Sequence, residues 1–407
     1  MKITTRFLFF LLLACCQHAF SQARYTAWDS LALTPPMGWN SWNFFEARVS
    51  EQVIKDMADA MAANGMKAAG YQYLVIDDHW VGGRDKHNQL YPDPERFPHG
   101  MKYLADYVHG KGLKLGIYSD AAPLTCGGVT GSYNFEEEDA RTFAGWGIDF
   151  LKYDYCNAPE DVTTAFARYA RMGDALKKCG RPIVYSICEW GPRKPWLWAR
   201  AAGGHLWRTT WDSRDVWESH NTNLTGMMEI FRQQENLAPY AGPGGWNDPD
   251  LLMVGLYGKG SSSSVDGRFK GCTTTEYRTH FALWCMLAAP LMVNMDLRTI
   301  DAETLRLLTN KQLIAINQDA LGKQATTVLK RDSLQVLLKP LQGHAFAVCV
   351  FNTAASNAAF DIQLKKDLDL WQPFRIQEVW SGKNVSALKG TLAAHDCAVY
   401  ILEEGQK

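Results

Sequence analysis

Two acids in this chain occupy positions where a reacting side chain is useful. Asp154 closes the run Ile148-Asp149-Phe150-Leu151-Lys152-Tyr153-Asp154, just past an apolar segment that reads as a buried strand. Asp212 follows Trp207-Arg208-Thr209-Thr210-Trp211, behind a second short strand-like segment. A carboxylate at the carboxyl end of a barrel strand is well placed for catalysis, and two of them suggest a hydrolase working with paired carboxylates. Neither acid is diagnostic alone. Other polar residues end further apolar runs: Trp42, Asp77-Asp78, Tyr118 with Asp120, Lys152, Cys188-Glu189-Trp190, Arg208, and Asp248 with Asp250. Several carboxylates, a lysine, an arginine and tryptophan faces suit a monosaccharide, whose hydroxyls each want a donor or acceptor while its ring carbons want an apolar platform.

The elements that must carry these residues are legible as a repeat. From about Met37 to Leu308, short apolar runs alternate with longer segments of helical periodicity, which predicts a parallel sheet wrapped by helices. The candidate strands are Met37 to Trp42, Tyr73 to Ile76, Leu113 to Tyr118, Phe150 to Tyr153, Ile183 to Ser186, His205 to Arg208, a weak one at Gly245 to Asn247, and Leu291 to Asn294. About eight βα units point to a TIM (β/α)8 barrel rather than an open doubly wound sheet. Helices are expected at Glu51 to Ala63, at Met101 to His109, and at Glu276 to Ala289 before Pro290. After about Gly322 the pattern becomes alternating, as in Leu334 to Leu338 and Ala345 to Phe351, which predicts a C-terminal antiparallel β-sandwich of accessory role. The expected division is 1–21 signal peptide, 22–320 catalytic barrel and 321–407 sandwich.

At 407 residues the chain accommodates such a two-domain plan. With 42 Lys and Arg against 43 Asp and Glu there is no global charge to attract nucleic acid or an anionic membrane, so a neutral small-molecule substrate fits better. Lys2, Arg6, the apolar run Phe7 to Ala14 and the small residues around Ser21 read as a secretory signal, too short to span a bilayer. Export to the periplasm or medium is therefore expected. Cleavage after Ser21 yields a soluble product and is preferred; Leu12-Leu13-Ala14-Cys15 resembles a bacterial lipobox and would leave a lipid on Cys15. An exported chain can keep disulfides, and Cys126 and Cys156, each just after one of two neighbouring strands, are expected to meet at the same rim. The remaining cysteines show no metal-type pairing. Asp77-Asp78-His79 offers oxygen and nitrogen ligands, yet Lys152 and Arg208 would repel a cation and no H-x-H or H-E-x-x-H occurs, so neither metal nor cofactor is expected.

The blocks Met37-Gly38-Trp39-Asn40-Ser41-Trp42, Ile76-Asp77-Asp78, Gly116-Ile117-Tyr118-Ser119-Asp120, Lys152-Tyr153-Asp154, Cys188-Glu189-Trp190-Gly191, Trp207-Arg208-Thr209-Thr210 and Gly244-Gly245-Trp246-Asn247-Asp248-Pro249-Asp250 occur in an order that resembles glycoside hydrolase family 27. That resemblance spans about Leu33 to Asn317, and the β-rich tail is similar to the family's C-terminal domain. It implies a retaining, exo-acting α-galactosidase acting on a galactose-containing glycan. It makes Asp154 the nucleophile, Asp212 the general acid/base, and Asp77 and Asp78 partners of the 4- and 6-hydroxyls. Lys152 serves the 3,4 edge, Glu189 and Arg208 lie toward the 2-hydroxyl beside Cys188, Trp42 and Tyr118 form apolar walls, and Asp250 stands close behind. A β-L-arabinopyranosidase of the same family is the nearest alternative, since that sugar is galactose without its hydroxymethyl group. A galactose-binding protein without turnover would need neither acid. The chain departs from the pattern at Trp211, where the family commonly has Gly, at Ser213-Arg214, and at His79, which replaces a common Cys and removes one family disulfide. The loop Gly258 to Thr275 is expected on the catalytic face.

Overall fold

The structure is a computed structural model that describes residues 28–219, 225–260 and 270–405. The leader, Cys15 and the tip of the loop after the seventh strand lie outside the described residues.

Eight parallel strands form one curled sheet: β1 Met37–Asn40, β2 Tyr73–Val75, β3 Lys114–Asp120, β4 Phe150–Asp154, β5 Val184–Ile187, β6 Leu206–Arg208, β7 Trp246–Asp248 and β8 Leu291–Val293. Every predicted strand is present, the weak one included. Neighbours pair in sequence order from β1 to β7, and β8 returns to β1 with Met37 opposite Leu291. The remaining gap closes through a parallel bridge between Leu252 and Val293, the Leu252 amide donating to the Met292 carbonyl at 2.8 Å. Strands buried on both faces read as continuous apolar runs rather than alternations, which is why these were visible in the sequence. Tyr73, Val75, Phe150, Val184, Leu206, Trp246 and Met292 fill the barrel interior.

The enclosing helices start and stop on local signals. Glu51–Ala63 begins at Ser50, whose hydroxyl accepts from the Val53 amide, and gives way to Gly65 at φ 95°, a conformation glycine adopts without a Cβ penalty. Val162–Lys178 begins at Asp161, whose carboxylate accepts from the Thr164 amide. The helix before the last strand runs Thr274–Met286, starting earlier than its apolar pattern because Thr273 and Glu276 cap each other reciprocally. Among the described residues no helix is long and apolar enough to cross a membrane.

The C-terminal part holds a six-stranded antiparallel sheet and a two-stranded partner sheet. Its period of two sorts side chains cleanly. Val336, Val348 and Val350 enter the sandwich's own core, while Leu337, Ala347, Cys349 and Phe351 join the barrel's core. The Arg278 guanidinium pairs with Asp396, and the Thr279 hydroxyl donates to the His395 carbonyl at 2.7 Å, fastening the two parts together.

Candidate active site

The strand ends deliver one cavity of about 280 Å³, lined among others by Trp42, Asp77, Asp78, Tyr118, Lys152, Asp154, Trp190, Arg208, Trp211, Asp212 and Asp250. A larger cavity of about 550 Å³ sits between barrel and sandwich, but its charged lining is Glu235 and Lys330, which pair with each other at 2.5 Å, and it gathers none of the strand-end acids. Chemistry therefore favours the smaller one.

Its floor is a chain of charge pairs. Lys152 donates to Asp77 at 2.8 Å, and Asn40 donates to the same oxygen at 2.7 Å. The Asp77 amide is held by the Ser41 hydroxyl at 2.9 Å. Asp78 accepts from the Gly127 amide at 2.7 Å, tying the second strand's loop to the third's. Burial alone would lower the Lys152 pKa, but Asp77, Cys188 and Asp154 together raise it, so the ammonium stays charged. It also lies 5.1 Å above the Tyr118 ring. On the opposite side Arg208 reaches Asp250 and Asp212, each at 3.0 Å. Asp250 is a non-glycine residue at φ 87°, fixed by the Ser213 amide at 2.8 Å and by the Trp284 indole donating to its carbonyl at 2.9 Å. A strained backbone so firmly braced is characteristic of a functional position.

Asp154 is buried and register-paired with Asp120 on the neighbouring strand. Burial pushes its carboxyl up and Lys152 pulls it down, leaving it at about 6. For Asp212 burial also acts upward, but Arg208, Lys152 and Arg214 outweigh it and hold the acid below its ordinary range. The assigned roles ask for the opposite order, a charged Asp154 and a protonated Asp212. The reason for the difference is the Arg208 contact: the side chain of Asp212 is 53% exposed and leans on a guanidinium rather than into an apolar wall. Asp120 is pushed up to about 9 by burial and by Asp154, so it is neutral at pH 7 and accepts from the Cys156 amide at 2.9 Å.

Cys126 and Cys156 are bonded, with Cα atoms 5.0 Å apart, and both border the cavity. Asp120, Asp154 and these two sulfurs cluster closely enough to suggest a cation site, but sulfurs bonded to each other supply no thiolate. Two candidate residues stand elsewhere. Cys188 is buried beneath the cavity, where Arg208 donates to its sulfur at 3.5 Å. Glu189 is fully buried and its carboxylate faces its own loop, accepting from the Gly191 and Arg193 amides and the Arg193 guanidinium at 3.1–3.2 Å. Asn40, Ser41 and Ser213 are site residues that the sequence does not single out; Asn40 and Ser41 lie inside the first motif block, which is the available signal.

A family model described as alpha galactosidase A matches residues 34–319, and the alpha galactosidase C-terminal beta sandwich domain matches 331–402. The chain belongs to this α-galactosidase family. Alpha-galactosidase A of Cellvibrio japonicus is 44% identical over 90% of both chains, and the α-galactosidase of Cyamopsis tetragonoloba is 42% identical over 94% of this chain and 89% of that one. The crystal structure of α-galactosidase I from Mortierella vinacea superposes with a TM-score of 0.84 at 32% identity, covering 93% of this chain and 98% of that one. A family 27 β-L-arabinopyranosidase from Geobacillus stearothermophilus is more distant at 26% identity and a TM-score of 0.80, with 93% and 99% covered. The protein is accordingly a glycoside hydrolase of the α-galactosidase class, with the barrel and sandwich expected of the family.

Proposed function

We propose that the protein is an exported, retaining exo-α-galactosidase in which Asp154 is the nucleophile and Asp212 the general acid/base. The observation that carries this reading is the convergence of both acids with Lys152, Asp77, Asp78 and Arg208 on one cavity at the strand ends. Galactose is held with its 4- and 6-hydroxyls toward Asp78 and Asp77, its 3,4 edge toward Lys152 and its 2-hydroxyl toward Arg208, between the faces of Trp42 and Tyr118. Direct contact of Glu189 with the 2-hydroxyl would require its carboxylate to leave Arg193. An Asp154 oxygen attacks the anomeric carbon while the glycosidic C–O bond breaks and Asp212 gives its proton to the leaving oxygen. In the second step Asp212 takes a proton from water, whose oxygen displaces Asp154 from the anomeric carbon. Two inversions return the α-anomer.

Just below about pH 6 the pair shares one proton, and only the form with that proton on Asp212 is productive. Substrate selects this form, because covering Asp212 and engaging Arg208 with the 2-hydroxyl weakens the ion pair that keeps Asp212 charged. The test compares nitrophenyl α-galactoside with nitrophenyl β-L-arabinopyranoside, for the wild type and Asp154→Asn, following the first-formed anomer by NMR. Retained anomeric configuration, preference for the galactoside and loss of turnover in Asp154→Asn are expected. Turnover that survives in the variant removes Asp154 from the nucleophile's role.

A further inference from the structure

The residue that departs from the family pattern beside the proposed acid, Trp211, is also among the most exposed large apolar side chains of the described residues, at 56%. It is not loose. Its ring stacks on Trp190 with centroids 5.4 Å apart and planes 6° from parallel, an offset overlap that covers one indole face and leaves the other open. The two loops that carry these rings are pressed together at Gly191, whose Cα lies so close to the Thr209 carbonyl that an added Cβ would stand 2.2 Å from it. Trp190 itself is held at φ 62°. The Glu189 carboxylate pins this loop from within through the Gly191 and Arg193 amides. The orientation that takes Glu189 away from the cavity wall thus builds the support on which Trp211 rests. A second stack, Trp42 on His79 at 6.1 Å and 9°, lies just past the ends of the first two strands.

We infer that the open face of Trp211, backed by Trp190, is an acceptor subsite that stacks on a hexopyranose leaving group. This rests on the reading of Asp212 as the general acid. The leaving oxygen must come within hydrogen-bonding reach of Asp212, and the Cα of Trp211 is one peptide unit away, so the first ring of the leaving group emerges beside this indole. A rigid, braced aromatic face meets the C–H face of a pyranose at little entropic cost, whereas a small leaving group does not reach it. Binding energy from this remote contact is available to the bond-breaking step.

The experiment reads a ratio, kcat/KM for α-D-galactosyl-1,6-glucose over kcat/KM for α-galactosyl fluoride, in the wild type, Trp211→Gly and Trp211→Phe. Trp211→Gly is expected to lower the ratio about tenfold and Trp211→Phe to restore most of it. A parallel fall on both substrates, or an unchanged ratio, overturns the inference. Calorimetry in the Asp154→Asn background supplies a readout that does not need turnover: adding Trp211→Gly should weaken the disaccharide about tenfold relative to galactose. Equal weakening of the two sugars, or none, overturns the subsite whatever the chemistry. Wild type that hydrolyses neither substrate, or Asp154→Asn that hydrolyses both, overturns the catalytic reading instead.

Discussion

Two lysines drawn into the interior of this molecule, one half-buried and one fully buried, are treated in opposite ways. Lys152, on the catalytic face, sits between carboxylates, and Asp77 at 2.8 Å keeps its ammonium charged. Lys339, on the strand Leu334–Leu341 of the sandwich, is more deeply shielded yet donates only to the Cys285 carbonyl at 3.2 Å; among the described residues it makes no ion pair. Burial therefore lowers it to about 7. The difference shows what separates a working charge from a packing compromise. A charge kept for chemistry is surrounded by partners that fix both its position and its protonation, while a charge trapped between layers is tolerated by giving up its proton.

The contrast can be broken from either end. The largest effect is expected at the centre of the paired side: Asp154→Asn should lower kcat on α-galactosides by about 10⁴-fold while leaving the fold intact, checked by steady-state kinetics and circular dichroism. Lys152→Met should lower kcat/KM by on the order of 10²-fold, because Asp77 loses its ammonium and a donor to the sugar disappears. Removing that positive charge also raises the Asp154 pKa, so the alkaline limb of the variant's pH profile should move to higher pH. For the wild type, kcat/KM should fall as pH rises through about 6, where the acid pair gives up its last proton, at close to tenfold per pH unit. A profile flat to pH 8 would contradict the shared proton.

The smallest effect on activity, and the clearest on stability, is expected at the unpaired lysine. Its folded pKa lies below its unfolded value, so below about pH 7 the folded state must hold a buried ammonium, and the penalty fades as pH rises toward 10. Lys339→Met should therefore stabilise the protein by on the order of 2–4 kcal/mol at pH 6, a gain that shrinks toward pH 10, with kcat/KM unchanged. Thermal unfolding at several pH values measures it. A gain that is independent of pH would mean that packing, not charge, limits this position.

The same contrast marks what could be read from sequence. Strands enclosed on both faces leave short apolar runs with a polar residue at the end, and β1 to β8 were all visible this way; β7 was faint because Trp246 is the one apolar residue of its three, between glycines and a proline. Asp154 and the Cys126–Cys156 bond follow from strand order alone, since β3 and β4 are neighbours and their ends share a rim. Contacts between irregular loops were not legible. Nothing local shows that Arg208 pairs with Asp212, that Glu189 turns to Arg193, or that Trp190 and Trp211 stack, because each depends on how two loops pack after the barrel closes. Lys339 looked like one polar residue of an alternating strand, and alternation cannot show that both faces of that strand are covered.

The barrel is joined unequally around its circumference. Seven of its eight joints are ladders, and the eighth, between β7 and β8, is the single bridge of Leu252 to Val293. Amide exchange should therefore be fastest for that joint among the barrel strands, since a single backbone hydrogen bond, helped by the Asn294 side chain donating to the Leu252 carbonyl at 3.0 Å, guards it. Asp250 lies within two residues of this seam and grips Arg208, which grips Asp212. Slow opening along the seam would thus be felt at Asp212, the proposed proton donor, before it reached Asp154, which is anchored between full ladders on the far wall.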